Sequence, residues 1–523
     1  MKLTRGGVGL RGLKNTAAMA GLTGVLGTWG IAPAYGNFGS LIQDPLTEAR
    51  EAEVLMQNHF ARKVANKMRK GSSSFTAFSR TASPEVSTTK FKQFYQDLEV
   101  HGAVGFVHKS AHETVVRDRF AELDISTEPR LGYFEAAQIA RSAGGDLVVA
   151  EAPELKIYPD RRNGVTRLAY FIDLEGNEEE AGSRVIVDAN TGEIVSQVSH
   201  HQEISAFGRP KVKAPKKKAG TPALAPIQVY QTNSSCQLLS STGAPMWLDA
   251  KRCDLVVTNQ TATATASASA KQAAANSQLV LQYYQTAHGR SSFDNKGSTA
   301  VSVVNVGKNF SNAFWDSRGK IMGYGAGDGI KMGDFTLAVD VAAHEMTHGV
   351  TSETAQLEYE DESGALNEAF SDYFGVVIAS QTQNWVVGKK VFLDPKSPGI
   401  RNLANPSSLG ISYRNATGAV VKAAYPAKYT DRLTVAPGTK CDRTNDQCWV
   451  HVNSTIFGHF GYRLFTAIGQ AQSDRLMYTV LTQYLNPMSD MKDAASAVRT
   501  ACKALYNAAT CGQVDGALVA VGL

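Results

Sequence analysis

Residues 341–350 read Val-Ala-Ala-His-Glu-Met-Thr-His-Gly-Val, which sets two of the chain's 11 histidines four positions apart with a glutamate directly after the first. In an α-helix, residues i and i+4 project from one face, so His344 and His348 can converge on a single cation while Glu345 reaches beside it towards a water on that cation. A catalytic zinc site needs a third protein ligand and an open fourth position. One pattern would supply a glycine three residues and a histidine six residues after His348, but Thr351 and Thr354 stand there. The next candidate is the second helical stretch DESGALNEAFSDYFG, residues 361–375, in which Glu368 is followed one turn later by Asp372. Glu368 can complete a His2Glu set, and Asp372 can accept the free ring N–H of His344 and fix its tautomer. Alone, the two acids would read as an exposed acidic helix face; beside H-E-x-x-H they read as parts of a metal centre.

Working outward, 523 residues exceed one ordinary core, so two or three domains are expected. The balance of 53 basic to 48 acidic residues, with 43% hydrophobic and 19% charged, describes a soluble globular chain and excludes a disordered or nucleic-acid-coating one. At the N-terminus Lys2, Arg5, Arg11 and Lys14 precede a Gly-rich, mildly apolar segment ending near Ala32 and Ala34, which reads as a secretory signal over residues 1–36. No other stretch is apolar for long enough to span a bilayer. All six cysteines lie after residue 235 in three closely spaced pairs. In an exported chain this favours the local disulfides Cys236–Cys253, Cys441–Cys448 and Cys502–Cys511, although about 15 connectivities are open to six cysteines. The absence of a CxxC argues against zinc ligation by these thiols.

Three blocks follow along the chain. From about Asn37 to Ser199, helical patterns alternate with strand-like runs such as KFKQFYQDLEVHG, PELKIYP, TRLAYFIDL and SRVIVDANTGEIV, which suggest antiparallel hairpins packed on helices. Next, HHQEISAFGRPKVKAPKKKAGTPALAP reads as a solvated, Lys- and Pro-rich linker, since no aromatics interleave its charges. The third block opens with short strands, passes through a helix expected from about Ala266, and becomes mainly helical towards its end.

The run from His344 to Gly375 resembles the core of the thermolysin-like zinc metalloendopeptidases, the group that includes thermolysin and secreted elastase-type enzymes of Gram-negative bacteria. NAFWDS, MGYGAGDG, GIRNL and DQCWVHVNSTIFGHFGYRLF are similar, in order, to that family's substrate-edge strand, following turn, substrate-binding arginine segment and catalytic histidine segment. The resemblance implies an α+β architecture: a signal (1–36), a propeptide of two α+β subdomains (37–205) acting as inhibitor or chaperone, a processing linker (206–225), and a two-lobed catalytic domain (226–523). The zinc helix would lie between a β-rich N-lobe and a helical C-lobe. It assigns His344, His348 and Glu368 to one zinc ion, Glu345 to general base, and Tyr359 and His451 to the developing oxyanion, with Asp446 orienting His451. Asn367 and Asp372 would support the zinc histidines. Asn312 and Ala313 would hold substrate as an added strand, and Arg401 would bind a substrate carbonyl. Met332, Phe335, Val341, Val387 and Ile400 would line an apolar pocket for the residue after the cut.

One departure stands out. The family's usual double calcium site needs several carboxylates, with an aspartate corresponding to Asp340, yet the other acidic positions here become Ala379, Asn384, Val386, Lys389 and Lys390. One aspartate among lysines cannot supply the anionic oxygens calcium requires, so that site is expected to be absent, with Lys389 or Lys390 pairing with Asp340 instead. The expected partners are protein or peptide substrates and the chain's own propeptide, with no nucleic acid, no membrane insertion, and a secreted monomer. A rival reading is a non-catalytic relative that keeps zinc as a structural staple. Against it, structural zinc is closed by four ligands, and three are evident here.

Overall fold

The structure, a computed structural model, describes residues 45–64, 73–82, 86–110, 113–121, 123–143, 148–175, 182–205, 224–239, 245–414, 420–436 and 438–523. The expected signal at 1–36 and linker residues 206–223 lie outside the described residues.

The first block forms α1 (Pro45–Val64), β1 (Ser73–Ala82), β2 (Val86–Tyr95), β3 (Leu98–Ser110), β4 (Thr114–Asp118), α2 (Tyr133–Ala143), β5 (Val148–Val149), β6 (Glu154–Asp160), β7 (Val165–Glu175), β8 (Ser183–Asp188) and β9 (Ile194–Ser199). KFKQFYQDLEVHG folds into the β2–β3 hairpin because Gln96 and Asp97, at φ 47° and 67°, supply a two-residue turn whose twist matches the strands. SRVIVDANTGEIV becomes β8 and β9, with Asp188 Oδ1 accepting the Asn190 and Thr191 N–H groups in the turn. Two cores lie against this one nine-stranded sheet. Met56, Phe91, Val107 and Phe120 form the first. Val100, Ile157, Leu168, Ile172 and Val187 pack with Ala136 and Ala140 of α2 in the second. A single parallel bridge, Val100 to Ile157, joins the halves.

The remainder comprises β10 (His201–Ser205), β11 (Ile227–Gln231), β12 (Gln237–Leu239), β13 (Pro245–Leu248), β14 (Asp254–Thr258), β15 (Thr261–Ala262), α3 (Ala268–His288), β16 (Ala300–Val306), β17 (Asn312–Asp316), β18 (Ile321–Gly325), α4 (Val339–Ser352), α5 (Asp361–Ile378), β19 (Val386–Val387), β20 (Arg401–Asn402), β21 (Gly410–Arg414), β22 (Val420–Ala424), α6 (Asp446–Ile468), α7 (Gln470–Thr479), α8 (Met491–Leu505) and α9 (Ala508–Ala520). The second large sheet runs β10-β17-β18-β16-β11-β14-β15. Its outermost strand corrects the linker reading. Residues 201–205 of HHQEIS are not solvated linker but strand, paired antiparallel with β17 from His201 opposite Asp316 to Ser205 opposite Asn312. The physical reason is the partner: β17 would otherwise present unpaired N–H and C=O groups along the sheet edge.

The helix expected from about Ala266 is α3, whose start is set by Ser267 accepting the Ala270 N–H and whose end is set by Gly289 at φ 65°. α4 is buried along its whole length from Val339 to Thr351, as befits a helix threaded between sheet and helical lobe. It packs directly on α5: a Cβ added at Gly375 would meet the Asp340 carbonyl oxygen at 2.8 Å, so only glycine permits this approach. Trp315, Tyr284, Phe335, Phe370, Phe374 and Phe457 fill the core shared by the two lobes. All three disulfides form as the spacing predicts. No described helix is long and apolar enough to cross a membrane.

Candidate active site and metal centre

The α4–α5 contact brings the two sequence motifs together. His344 and His348 lie one turn apart on α4, and Glu368 faces them from α5, all fully buried. Among the described residues this is the one cluster of histidine, cysteine and carboxylate groups with metal-ligand geometry, its donor atoms lying within 4.8 Å of one another.

The tautomers follow from the outer partners. His344 Nδ1 lies 2.9 Å from Asp372 Oδ1, and His348 Nδ1 lies 2.9 Å from Asn367 Oδ1. Both oxygens accept, so both Nδ1 atoms carry the proton and both Nε2 atoms present lone pairs. Those Nε2 atoms stand 2.9 Å apart, at 3.4 Å and 3.2 Å from the Glu368 carboxylate oxygens. Lone pairs converging in a buried space are compensated by a cation, and a two-nitrogen, one-carboxylate set suits zinc with one position left open. The residues present therefore fit the ion.

The surrounding side chains hold this set rigid. Arg401, 1% exposed, donates from Nε to Asp372 Oδ2 at 2.5 Å and from Nη2 to Asp372 Oδ1 at 2.7 Å and Glu368 Oε2 at 3.1 Å. Burial opposes ionisation of Asp372, yet Arg401 and the His344 ring N–H hold its pKa below the usual carboxylate range. Burial likewise disfavours charge on His344, but Glu368 and Asp372 outweigh it and raise its pKa to about 9, so with no cation bound a second proton takes the Nε2 lone pair that a cation displaces it from. Ser371, which sequence reasoning missed, places Oγ 3.1 Å from His348 Nδ1. It falls one helical turn after Asn367, so the 3.6-residue period was the available signal.

On the other side of the centre, Tyr359 donates its hydroxyl to Glu368 Oε1 at 2.5 Å and stands 3.1 Å from His451 Nε2. Asp446 Oδ1 lies 2.5 Å from His451 Nδ1, so the pair expected from sequence is assembled. Burial opposes protonation of His451, but Asp446 and Glu368 prevail and hold its pKa at about 10. Glu345 is fully buried on α4, close enough to Tyr324 to add to the upward push that burial gives that phenol. Asn312 and Ala313 open β17, the strand on which β10 lies. Met332, Phe335, Val341, Val387 and Ile400 are buried in one continuous apolar cluster.

At the expected calcium position Asp340 is fully buried and its Oδ2 accepts the Gly388 N–H at 2.6 Å. Of the two candidate lysines, Lys390 is the buried one, at 2% exposure. Burial lowers the Lys390 pKa against the pull of Asp340, and burial raises that of Asp340 against the pull of Gly388 and Lys390.

A buried His2Glu centre on two crossing helices, beneath a sheet edge that accepts an extended chain, defines a metallopeptidase. Comparison with known proteins specifies which kind. Residues 216–352 match the family profile described as thermolysin metallopeptidase, catalytic domain, and residues 355–523 match its alpha-helical domain. Bacillolysin of Bacillus subtilis is 33% identical over 380 residues, covering 70% of this chain and 66% of that protein. Neutral protease NprE of Bacillus pumilus is 37% identical over 266 residues, covering 51% of this chain and 81% of that protein. Thermolysin of Alicyclobacillus acidocaldarius is 28% identical over 486 residues, covering 83% of each. The chain belongs to the thermolysin family of zinc metalloendopeptidases.

Proposed function

We propose that the chain is a secreted, monomeric zinc endopeptidase made as a proenzyme, whose first domain (residues 37–205) blocks the cleft until the enzyme cuts itself within about residues 200–225. The observation that carries this reading is β10. The end of the first domain lies antiparallel on β17, five residues from His201 to Ser205 pairing with Asp316 to Asn312, in the manner of an extended substrate added to a sheet edge. The chain leaving Ser205 enters the Lys-rich segment where cleavage is expected. Side-chain contacts support the docking. His101 Nε2 lies 2.5 Å from Glu358, Ser196 Oγ donates to Glu360 at 3.0 Å, Lys90 donates to the Leu485 carbonyl at 3.1 Å, and the His108 ring stacks on Tyr484 with centroids 3.8 Å apart.

The zinc held by His344, His348 and Glu368 would lower the pKa of a coordinated water towards about 7 and polarise the scissile carbonyl. Glu345 accepts the proton of the attacking water and passes it to the leaving amine. His451, held by Asp446, and Tyr359 donate to the oxygen on which negative charge grows; losing one such donor costs about 100- to 1000-fold in kcat. Asn312 and Ala313 bind the substrate backbone, and Arg401, anchored on Asp372 and Glu368, keeps a guanidinium beside the carbonyl it would contact. Met332, Phe335, Val341, Val387 and Ile400 form the pocket for the residue after the cut, so Leu, Phe, Ile or Val is preferred there. Each methylene is worth about 1–3 kcal/mol in such a pocket, which gives preference rather than strict selection.

The test is incubation of purified protein with casein, with and without a zinc chelator, followed by N-terminal sequencing. Chelator-sensitive cleavage and a new N-terminus within the stated window are expected. A zinc-loaded, matured protein that leaves casein intact would overturn the reading.

A further inference from the structure

Directly ahead of His451 the backbone turns with the wrong hand. Asp446 (φ 57°, ψ 42°), Gln447 (φ 50°, ψ 42°), Cys448 (φ 66°, ψ 46°) and Trp449 (φ 71°, ψ 34°) make one left-handed turn that contains no glycine. L-residues avoid this region because Cβ crowds the following carbonyl oxygen; aspartate tolerates it singly, but glutamine, cysteine and tryptophan in succession do not. Something must hold the turn. Asn445 Oδ1 accepts the Cys448 N–H at 2.9 Å, and the Asp442 carbonyl accepts the Gln447 N–H at 2.7 Å. Water can replace both of those bonds when the turn relaxes. The Cys441–Cys448 disulfide, closing a separation of 7 residues, is a restraint that water cannot replace.

What the turn presents is the Asp446 carboxylate. Its oxygens receive His451 Nδ1–H at 2.5 Å, the His451 backbone N–H at 3.0 Å and the Val452 N–H at 3.3 Å, so it starts the right-handed part of α6 and orients the imidazole at once. Were residues 446–449 to take the ordinary right-handed or extended path, Asp446 would no longer stand over His451.

We propose that the Cys441–Cys448 disulfide is a positioning element for catalysis, holding the left-handed turn that presents Asp446 to His451. This rests on the oxyanion role given to His451. Neither of the other disulfides spans a site residue: Cys236–Cys253 lies beside the β11–β14 pair, and Cys502–Cys511 ties α8 to α9. In the undissociated chain the bridge is also shielded. Cys441 and Cys448 are 2% and 1% exposed, and the Arg162 guanidinium of the first domain donates to both sulfurs. Departure of that domain would remove this guanidinium from the bridge.

The experiment compares matured, zinc-loaded variants well below their melting temperatures. Cys441→Ser with Cys448→Ser should lower kcat by about 100-fold with KM changed by less than about twofold and zinc content unchanged. Adding glycine in place of the strained residues should rescue it. Cys441→Ser, Gln447→Gly and Cys448→Gly together should return kcat to within about fivefold of wild type, because glycine enters the left-handed region freely. The Gln447 side chain has a buried oxygen without a hydrogen-bond partner, so its removal forfeits no bond of that atom. Cys236→Ser with Cys253→Ser, and Cys502→Ser with Cys511→Ser, should lower the melting temperature and leave kcat alone. A disulfide that merely stabilised the fold would give wild-type kcat in the 441/448 serine pair, and that result overturns the proposal, as does failure of the glycine variant to recover. His451→Ala is measured alongside: if it keeps wild-type kcat, the role of His451 falls instead. Should the serine pair fail to mature, wild-type mature enzyme is treated with a phosphine. Each disulfide then takes up two electrons and two protons to give two thiols, while the phosphine becomes its oxide with oxygen from water. Loss of kcat in proportion to thiols trapped at Cys441 and Cys448 supports the proposal, and full activity with both trapped refutes it.

Discussion

Lys390→Met tests whether an ammonium does for Asp340 what a bound calcium ion would do there. Asp340 is buried completely in the first turn of the zinc helix α4, and its carboxylate accepts the Gly388 N–H at 2.6 Å and the Gln381 side-chain amide at 3.3 Å. Burial drives its pKa up and that of Lys390 down, so each charge is disfavoured alone and each partly compensates the other. Removing one partner of a touching buried pair costs about 3–5 kcal/mol. Here the Lys390 Nζ is buried without a hydrogen-bond partner among the described residues, and Gly388 and Gln381 remain on Asp340, so about 1–3 kcal/mol is expected. The double variant Asp340→Asn with Lys390→Met should recover most of that loss, since no charge is then left buried; the coupling should fall within about 0.5–3 kcal/mol. The companion expectation concerns calcium. A ligand present at a hundred times its Kd stabilises by about 2.7 kcal/mol, which for a domain of this size is roughly 5–10 °C in Tm. The mature enzyme, with zinc held saturated and calcium titrated from a buffered trace to excess, should shift by less than about 1 °C from this position. A calcium-driven rise of several degrees abolished by Asp340→Asn, or a Lys390→Met variant more stable than wild type, would refute the reasoning.

Glu345→Gln should bind zinc normally, cleave casein at most at trace rates, and accumulate uncut precursor in a host without other secreted proteases; metal analysis and N-terminal sequencing read both. Burial lowers the Lys90 pKa to about 7, so its pH dependence lies above neutrality, and below about pH 7 docking of the first domain should respond to pH through two opposed groups. Burial lowers the His108 pKa to about 3, helped by Arg117 and Lys90, so its contribution is present above its free pKa of about 6.5 and lost as pH falls, roughly 30-fold by pH 5. Burial and Glu358 raise Glu360 to about 7, so its contribution is present below about 4.5 and lost as pH rises through about 7. Inhibition by the added first domain should therefore weaken on acidification in Glu360→Gln and strengthen in His108→Gln, while wild type stays nearly flat; equal pH slopes in the two variants would contradict this. Gly375→Ala places a Cβ 2.8 Å from the Asp340 carbonyl oxygen and should cost about 1–3 kcal/mol in thermal denaturation, with kcat falling because α4 and α5 separate at the zinc ligands.

The zinc centre was legible because its chemistry and the helical period coincide in one short run: His344, Glu345 and His348 on one face, then Glu368 and Asp372 on the next helix. The disulfides were legible because short spacings leave little room for other pairings. What sequence hid was each feature whose cause lies far along the chain. His201–Ser205 become strand because the edge of β17, more than a hundred residues away, supplies the ladder, and the lysines that follow disguise them as linker. Arg401 is tied to Asp372 and Glu368 by contacts across 29 and 33 positions, so its anchoring has no local signature. The left-handed turn at 446–449 runs against the preferences of its own residues.

The surface between the first domain and the enzyme shows a further reason why sequence is silent there. Its buried members include Thr88, Lys90 and His108 on one side and Glu360 and Gln483 on the other, with Thr88 bonded to both His108 and Gln483. Such polar groups stabilise less than aliphatic side chains of equal size, since their hydration is surrendered for bonds of similar strength. If the first domain leaves as proposed, a large apolar face would be costly, because each half would then carry an exposed patch prone to association. On that proposal the interface is written in residues that alternate with the core positions of ordinary strands, where Thr88 and Lys90 of β2 look like any solvent-facing pair. The same polarity makes docking responsive to protonation, which is why His108 and Glu360 are the positions at which pH should loosen or tighten it.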